Sequence, residues 1–447
     1  MRIRPIFVVV VSLLLAGSSM AQARTKTGAP QPQYRIFDIG LVQSGDSAAQ
    51  ALRISPTNVA VGRSLRTGGS QAFTWTLNGG IVGLPNLSGF PYCVANSTNA
   101  SGVTVGVCAT TVFGSGRVPV VWQNGVATQL PLPSGETIGD ANGINTAGVA
   151  AGSADGGSTQ GAVIYSGGTG TWLSQTTTTG CFFRTAFDIN DSDLVVGFGI
   201  DPSNAARNVG MIYHVGDTNA SEVGSLSDGN GAIAFGVSNA GHVVGSSMMN
   251  QGSGVPFIWT QAGGMVAIPL ATGTTQGSAR GVNSAGWAVG TDSSAFAIPF
   301  LYDGTTTYRV ADLIPSGSGW DLATNTSSSA MGISEDNVIV GTGVLNGAVH
   351  AYAMVPFKTI AISGRVTTAS GAGIRNAVVT ISGGDLPAPI RSLSSGFGYF
   401  TFPISHGLHS ATTYTLTIAS KRFTFTPSTQ TITAVNDVSD LSFVADQ

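Results

Sequence analysis

The chain has 447 residues, of which 19 are Lys or Arg and 22 are Asp or Glu, so its formal net charge is −3. Only 9% of the residues are charged, against about 25% in typical soluble proteins, while 42% are hydrophobic. This composition excludes an electrostatic disordered tail and a salt-bridged coiled coil. The net negative charge, without any dense basic stretch, disfavours a nucleic-acid partner. Because glycine (62 residues) is roughly twice as frequent as usual, we expect a turn-rich, all-β chain of more than one domain.

The N-terminus has the pattern of a secretory signal peptide. Arg2 and Arg4 precede an apolar run over residues 6–16, and Ala21-Gln22-Ala23 forms a small-x-small cleavage site. The apolar run is too short for a membrane span, which needs about 20 residues. We therefore predict a signal peptide at 1–23, a linker at 24–33, no transmembrane segment after cleavage, and a secreted protein, either extracellular or periplasmic.

One sequence unit recurs seven times. It contains an alanine, an aliphatic residue before an Asn or Ser turn, and a β-branched or small pair that ends in glycine. The alanines are Ala51, Ala95, Ala141, Ala186, Ala234, Ala279 and Ala330. The closing glycines are Gly62, Gly106, Gly152, Gly197, Gly245, Gly290 and Gly341. Successive closing glycines are 44 to 51 residues apart, a period typical of the four-stranded blade of a β-propeller.

Each unit also carries an apolar quartet about ten residues after the closing glycine. Six quartets end in an aromatic residue and the seventh in methionine: Trp75, Trp122, Tyr165, Tyr213, Trp259, Tyr302 and Met354. We place the alanines on the innermost strand, where blades converge and only small side chains fit. The aromatic residues belong on a middle strand, where bulk fills the space between diverging blades, and we interpret all of them as packing residues.

The phase of the repeat predicts a closed ring. Residues 34–40 match the fourth strand of a unit but precede the first alanine, whereas the last unit lacks a fourth strand after Met354. The N-terminal strand can therefore complete the last blade and remove the exposed sheet edges. We predict a seven-bladed β-propeller over residues 34–356, closed by its N-terminal strand.

The turn of the inner strand pair predicts a disulfide. Asn99-Ala-Ser-Gly102 has Asn first and Gly fourth, as in a type I turn, and similar turns are expected at Asn145, Asn239 and Asn283. If Asn99 pairs with Gly102, Cys93 faces Cys108 across the two strands. A bulge at Gly102 would shift this register by one residue. We predict the Cys93–Cys108 disulfide and leave Cys181 unpaired.

The repeat resembles a known family. The pattern Ala-x-x-Ile-Asn, Gly-x-Val-Val-Gly and His-Ala-Phe-x-Trp is similar to that of the HAF-type extracellular repeats of bacteria. Gln71-Ala72-Phe73 and His350-Ala351-Tyr352 are the nearest versions of the naming tripeptide in this chain. The resemblance covers about 320 residues and implies no catalytic residue.

The repeat stops after Pro356, and alternating apolar residues then predict a small β-sandwich over 357–447. We expect strands at 360–366, 377–381, 398–402, 414–418, 423–425 and 441–444. The segments Gly364-Arg-Val, Gly373-Ile-x-Asn-Ala-Val-Val, Gly398-Tyr-Phe and Tyr414-Thr-Leu-Thr resemble the carboxypeptidase-regulatory-like (transthyretin-like) module. That resemblance implies a non-catalytic spacer or interaction domain.

Any ligand site of a propeller is expected at the mouth where the loops entering the inner strands converge. The candidate ligand-binding residues in those loops are Asp46, Phe90, Tyr92, Glu136, Asp140, Phe182, Phe183, Arg184, Asp228, Trp320 and Asp321. Aromatic faces beside carboxylates suit sugars or peptides, although each residue singly is also explained as a turn residue.

No catalytic, metal or cofactor site is predicted. His406 and His409 form the only close histidine pair, and no carboxylate lies near them in sequence. Residues 188–193 superficially match a calcium loop but lack its glycine and its distant Glu, so we interpret them as a structural turn.

Three functions remain open from the sequence. The first is a secreted, monomeric, non-enzymatic protein that binds a glycan or a cell-surface protein. The second is a carbohydrate-active hydrolase or lyase using two of Glu136, Asp140, Asp228 and Asp321, which requires carboxyl groups about 5–10 Å apart. The third is a structural spacer of the cell envelope.

Overall fold

A computed structural model describes residues 31–112, 114, 116–157, 160–226, 229–249 and 253–446. The predicted signal peptide and most of the predicted linker lie outside the described residues. Within these ranges, helical structure is limited to two short 3-10 turns, Val310–Leu313 and Ile404–His406. No helix in the described ranges has the length and apolar character needed to cross a membrane. The predicted all-β fold is confirmed.

Strand pairing arranges the repeats of the described chain as seven antiparallel groups of four strands, the blades of a β-propeller. One parallel pair, Ser70 opposite Tyr92, joins the first two groups into a single eight-stranded sheet. The first blade contains β2 (Ala48–Ile54), β3 (Ala60–Arg66), β4 (Gly69–Thr76) and β5 (Gly80–Gly83). The second contains β6 (Tyr92–Thr98), β7 (Thr104–Ala109), β8 (Val118–Gln123) and β9 (Val126–Gln129). The third contains β10 (Ile138–Ile144), β11 (Ala150–Asp155), β12 (Gly161–Ser166) and β13 (Thr169–Trp172). The fourth contains β14 (Phe182–Ile189), β15 (Leu194–Asp201), β16 (Asn204–His214) and β17 (Ser221–Glu222).

The remaining blades follow the same order. The fifth contains β18 (Gly229–Val237), β19 (Val243–Met249), β20 (Gly254–Thr260) and β21 (Gly264–Ala267). The sixth contains β22 (Gln276–Val282), β23 (Ala288–Ser293), β24 (Ala297–Tyr302) and β25 (Thr307–Arg309). The seventh contains β27 (Ser329–Ile333), β28 (Ile339–Leu345), β29 (Ala348–Pro356) and the N-terminal β1 (Tyr34–Asp38), with the two-residue β26 (Trp320–Asp321) also paired to β28.

The N-terminal strand closes the ring as predicted. β1 pairs antiparallel with β29 from Tyr34 opposite Pro356 to Asp38 opposite Tyr352. Each innermost strand contacts the innermost strand of the next blade, and β27 contacts β2. The β-sheet of the last blade is therefore built from both ends of the repeat region, and β1 covers the edge of β29.

The register explains why alanine and glycine recur. In every blade the alanine of the innermost strand is fully buried and lies opposite the closing glycine of the second strand, for example Ala141 opposite Gly152. A β-bulge follows each alanine and brings the preceding carbonyl over the glycine. A Cβ on Gly152 would lie 1.9 Å from the Asp140 oxygen, and the other six closing glycines show the same approach within 2.1 Å. Only glycine fits there.

Two shifts of one residue in the register between β6 and β7 cancel, so that Cys93 and Cys108 face each other. The Asn99 turn closes against Val103, one residue later than a direct Asn99–Gly102 pairing, with Gly102 in the left-handed region at φ 78°. The bulge after Ala95 then restores the register. Cys93 consequently lies opposite Cys108, and the two form a disulfide with an S–S distance of 2.01 Å.

The same five-residue turn joins the inner strands of all seven blades. Its first residue is Asn99, Asn145, Asn190 or Asn283 in four blades and Ser55, Ser238 or Ser334 in three. Our placement of Asn239 at the start of the fifth turn was wrong by one residue, because Ser238 accepts the closing hydrogen bond from Gly241. Asn190 begins the turn within residues 188–193, the segment that superficially matches a calcium loop, and its Oδ1 accepts the backbone N–H groups of Ser192 and Leu194.

Five of the six strands predicted after Pro356 are present, and together with two further strands they form two sheets. One sheet contains β30 (Ile362–Thr367), β33 (Tyr399–Phe402) and β36 (Val438–Val444), with β36 parallel to β30. The other contains β31 (Val378–Gly383), β32 (Ile390–Leu393), β34 (Thr413–Ala419) and β35 (Thr429–Thr433). Phe400, Phe402 and Phe443 meet Leu416 and Ile381 in the core between the sheets.

The strand expected at 423–425 is absent, and β32 and β35 were not predicted. Only Phe425 makes a bridge, to Ala445, and Phe423 is 37% exposed. The apolar-polar alternation of Phe423-Thr-Phe425 therefore reflects one buried anchor, Phe425, beside an exposed loop. The short edge strands β32 and β35 carry little apolar alternation because most of their side chains are exposed or half-buried.

Arg35 on the closing strand links the propeller to the C-terminal sheets. Its guanidinium lies 3.0 Å from the Asp385 carboxylate, donates to the Thr412 hydroxyl at 2.7 Å and stacks over the Phe357 ring. Ring closure and attachment of the sandwich thus use the same strand.

Candidate functional site

The carboxylates predicted at the mouth have partners close to them in the chain. Asp46 is buried, with one oxygen 3.0 Å from the Arg66 Nε and the other accepting the Ser64 hydroxyl at 2.6 Å. The Glu136 carboxylate accepts the Gly157 backbone N–H at 2.8 Å. Both side chains hold loops of their own blade in place.

Asp140 is the most constrained of these carboxylates. Its Oδ1 accepts the Ser153 hydroxyl at 2.9 Å, and its Oδ2 lies 3.4 Å from the Arg117 guanidinium. Burial raises the pKa of Asp140, although the hydrogen bond from Ser153 and the charge of Arg117 act in the opposite direction. The same Arg117 also binds Asp155, so the three residues form one network at the edge of the third blade.

The predicted aromatic residues differ in exposure. Phe183 is buried in the core of the fourth blade, whereas its neighbour Phe182 is exposed. Phe90 packs partly buried against the core of the second blade. Tyr92 is half-buried at the start of β6. Beside the phenylalanine pair, Arg184 donates a hydrogen bond to the Gln160 amide oxygen.

Trp320 and Asp321 are tied to the seventh blade. The Trp320 ring meets the Tyr352 ring edge-to-face, with centroids 5.8 Å apart. The Asp321 Oδ1 accepts the backbone N–H groups of Ala323 and Thr324 at 2.9 and 2.8 Å. Burial acts to raise the pKa of Asp321, but these hydrogen bonds outweigh it and lower the pKa to about 2.

The predicted mouth residues are not brought into mutual contact. Asp228 lies outside the described residues. Among the other ten, no hydrogen bond or ion pair in the described structure joins one candidate to another, although Asp140 pairs with Arg117 of the second blade and Arg184 bonds to Gln160 of the third. Each is explained by packing or bonding near its own strand, and the mouth stays a prediction as a binding site.

The channel along the propeller axis contains a charged pair that the sequence analysis missed. Two residues after each repeat alanine, five blades carry Gly or Ser, whereas the first and fourth carry Arg53 and Asp188. Their Nη1 and Oδ2 atoms are 3.1 Å apart. Asp188 also accepts the Val237 backbone N–H at 3.0 Å. Burial raises the pKa of Asp188, opposed by the charge of Arg53. Sequence analysis could have found this pair, because Arg53 and Asp188 replace the small residue that the other five blades carry at this position.

Aromatic side chains surround this pair. Phe187 and Phe235, each directly after a repeat alanine, have ring centroids 5.3 Å apart, and the Arg280 guanidinium lies 3.8 Å from the Phe235 centroid. A cavity of about 90 Å³ remains beside Arg53 and Asp188, at the end where the inner turns lie. That is the volume of about three water molecules, too small for a sugar. The cavity is lined by none of the predicted mouth residues, which lie at the other end of the inner strands.

A larger groove lies between the fourth and fifth blades on the turn side. Its volume is about 980 Å³, and Tyr213, His214, His242 and Trp259 are among its lining residues. We call this the blade 4–5 groove. One wall is the connection between β16 and β17, residues 215–220, which is longer than the corresponding connection of every other blade described here. This insertion was the sequence signal for the groove.

Trp259 differs from most of the aromatic residues at its position. The equivalent Trp75, Trp122 and Tyr165 are buried, as predicted, and the Trp122 indole N–H donates to the Pro85 carbonyl at 2.8 Å. Trp259 is half-buried, lines the blade 4–5 groove, and its indole N–H has no hydrogen-bond acceptor among the described residues. Trp259 packs against the core that contains Val243 and Phe257, as predicted, and in addition lines the groove with its half-buried side chain.

Polar groups complete the groove. Asn219, Asn239 and Gln261 supply amides, and Asp217 and Glu222 supply carboxylates. The Glu222 carboxylate lies 3.7 Å from Arg207 and accepts the Thr179 hydroxyl. No group of three or more His, Cys, Asp or Glu side chains in the described ranges has the arrangement of a metal site.

Comparisons with known proteins find solved structures that align with part of the chain. No protein-family model matches the chain, and no curated protein matches it. TolB from Acinetobacter baumannii aligns over 57% of this chain and 60% of its own length, with 11% identity and a TM-score of 0.40. A streptogramin B lyase aligns over 72% of this chain and 98% of its own, with 11% identity and a TM-score of 0.40. Virginiamycin B lyase from Staphylococcus aureus aligns over 72% and 99%, with 10% identity and a TM-score of 0.38.

Proposed function

We propose that the protein is a secreted, non-enzymatic binding protein that holds a glycan in the blade 4–5 groove. The observation that carries the proposal is the half-buried Trp259, with an unused indole N–H, in a groove of about 980 Å³. Ligand pockets typically measure about 300–1,000 Å³, so the groove accommodates several sugar units.

The chemistry of the groove suits sugars. The apolar C–H face of a pyranose packs on an aromatic ring, while its hydroxyl groups need donors and acceptors nearby. Trp259 provides the ring, and Asn219 and Gln261 provide amides that both donate and accept, whereas the Asn239 amide is held by Asp191.

The enzymatic alternative has less support from the geometry. The carbohydrate-active hydrolase or lyase considered as the alternative needs two carboxyl groups that are free to act on one glycosidic bond. Asp140 is engaged by Ser153 and Arg117, and Asp321 by backbone N–H groups, so both are used to fix loops. The spacer alternative gives no reason for a groove with an unsatisfied indole donor.

The test is a glycan-array screen of the purified chain, followed by calorimetric titration of the best ligand against two variants. Trp259→Ala removes the proposed platform, and Trp320→Ala is the matched control, because Trp320 is also half-buried but lies at the predicted mouth. We expect Trp259→Ala to weaken binding by about tenfold or more, which corresponds to about 1.4 kcal/mol, and Trp320→Ala to leave it unchanged.

Three outcomes would count against the proposal. Loss of binding only in Trp320→Ala would place the ligand at the mouth. Unchanged binding in both variants would show that the blade 4–5 groove is not the binding site. Absence of any glycan ligand would refute the proposed function. A thermal melt of each variant separates lost binding from lost folding.

A further inference from the structure

The C-terminal sheets contain a second concave site, independent of the propeller. A cleft of about 720 Å³ lies between the loop after β30 and the segment after β34. Arg375 projects from the first side, and Lys421, Arg422 and Phe423 lie on the second. We call it the basic cleft.

The three cations of the basic cleft are unpaired. All three are exposed, and the described structure gives no side-chain hydrogen bond or ion pair to Arg375, Lys421 or Arg422. In contrast, Arg35, which joins the propeller to these sheets, is held by a carboxylate. Three positive charges converging on one cleft without counter-charges create a positive potential there, which favours an anionic ligand.

The distribution of charge along the chain also favours an anionic ligand for the C-terminal sheets. Residues 34–356 contain nine basic and 18 acidic residues, a formal charge of −9, whereas residues 357–447 contain six basic and four acidic residues, a formal charge of +2. The propeller therefore repels polyanions, and the basic cleft is the part of the C-terminal sheets where cations converge on a cavity.

We propose that the basic cleft binds an acidic polysaccharide through its carboxylate or phosphate groups. Arginine pairs with either anion through two parallel hydrogen bonds, and lysine adds a point charge. Phe423, 37% exposed at the cleft, offers a ring edge or face to a sugar, and Thr368, Asn376 and Ser420 offer hydrogen-bonding groups for hydroxyls. A concave cavity of this size fits a short run of sugar units better than a flat membrane surface.

The test measures binding of the full chain to three soluble polymers at low salt. These are polygalacturonate, which carries carboxylates, polyglycerol phosphate, which carries phosphates, and neutral dextran. Vesicles containing anionic lipid form a fourth arm. We expect one or both acidic polymers to bind, dextran and vesicles not to bind, and the affinity to fall as salt is raised, because the contact is electrostatic. The two acidic arms show which anion is preferred.

Two triple variants with the same change in net charge locate the site. The first replaces Arg375, Lys421 and Arg422 by Gln. The control replaces Lys358, Arg365 and Arg391, which also lie within residues 357–447 but do not line the cleft, by Gln. We expect the first variant to weaken binding at least tenfold and the control to change it less than twofold.

The proposal is overturned if both triple variants lose affinity equally, because binding would then follow overall charge. It is also overturned if neither acidic polymer binds or if only vesicles bind. Thermal melts verify that each variant folds. Trp259→Ala should leave polyanion binding unchanged, so failure of the blade 4–5 groove and failure of the basic cleft are distinguishable.

Discussion

Asp292 on β23 provides a stringent test of the packing described above. Its side chain is fully buried: Oδ2 accepts the Ala271 backbone N–H at 2.7 Å, whereas Oδ1 has no hydrogen-bond partner in the described structure. Burial raises the pKa of Asp292 from 3.8 to about 6, although the hydrogen bonds from Ala271 and Thr274 act to lower it. The folded state therefore binds this proton more tightly than the unfolded state does.

The sign and size of the effect follow from linkage. Because the pKa is raised on folding, the stability contributed by protonated Asp292 is complete below pH 3.8 and is lost as the pH rises through about 6. A shift of about two pKa units corresponds to about 3 kcal/mol. Asn at this position cannot ionise but keeps an acceptor for the Ala271 N–H. About 0.5 kcal/mol of the Asp292 contribution is already lost at pH 4, so Asp292→Asn should gain about 2.5 kcal/mol relative to the wild-type chain between pH 4 and pH 8.

The assay is denaturant unfolding of both proteins at five pH values from 4 to 8. The Asn side chain can itself change the free energy of unfolding by a constant amount. This amount does not matter, because we interpret only how the difference between variant and wild type changes with pH. Asp321→Asn is the control: the pKa of Asp321 is lowered to about 2, so its contribution is lost only below pH 4 and its difference from wild type should stay flat in this range. A flat difference for Asp292→Asn would refute our account of its burial.

Three further predictions concern the propeller. Gly152→Ala should destabilise the chain by about 3 kcal/mol in denaturant unfolding, because its Cβ would lie 1.9 Å from a carbonyl oxygen, whereas Gly45→Ala, with no atom within 4 Å, should be neutral. Replacing Cys93 and Cys108 together by Ala should cost about 3 kcal/mol, the value for a loop of about 15 residues, and an unchanged melting temperature would contradict this. Arg53→Met should cost about 3 kcal/mol by leaving a buried carboxylate unpaired; removing that carboxylate as well should recover part of the loss.

Much of the fold could be predicted from the sequence because the residues that determine it lie close together in the chain and recur in every unit. The alanine and closing glycine of each unit mark a single strand pair, and the structure places all seven pairs in register. The strand at 34–38 was recognisable because its pattern was out of phase with the units that follow. The fifth turn was misplaced by one residue because Ser238 performs the role that Asn performs elsewhere.

The candidate sites were harder to predict from the sequence. Mouth residues were chosen by residue type and loop position, yet Asp46 and Asp140 proved to be bonded near their own strands. Residue type does not reveal whether a carboxylate is already satisfied. Trp259 was assigned to packing along with five equivalent aromatic residues, and only its place beside the blade 4–5 groove distinguishes it.

The sequence by itself determined the repeat, the order of its strands, the closure by the N-terminal strand and the facing of Cys93 and Cys108. These follow from hydrogen-bond register and side-chain alternation over a few residues, which each unit encodes separately. Only the tertiary structure decided the partner of Arg53, the exposure of Trp259 and the convergence of Arg375 with Lys421. Those features join segments about 45 to 135 residues apart, and their geometry depends on how blades and sheets pack rather than on any local pattern.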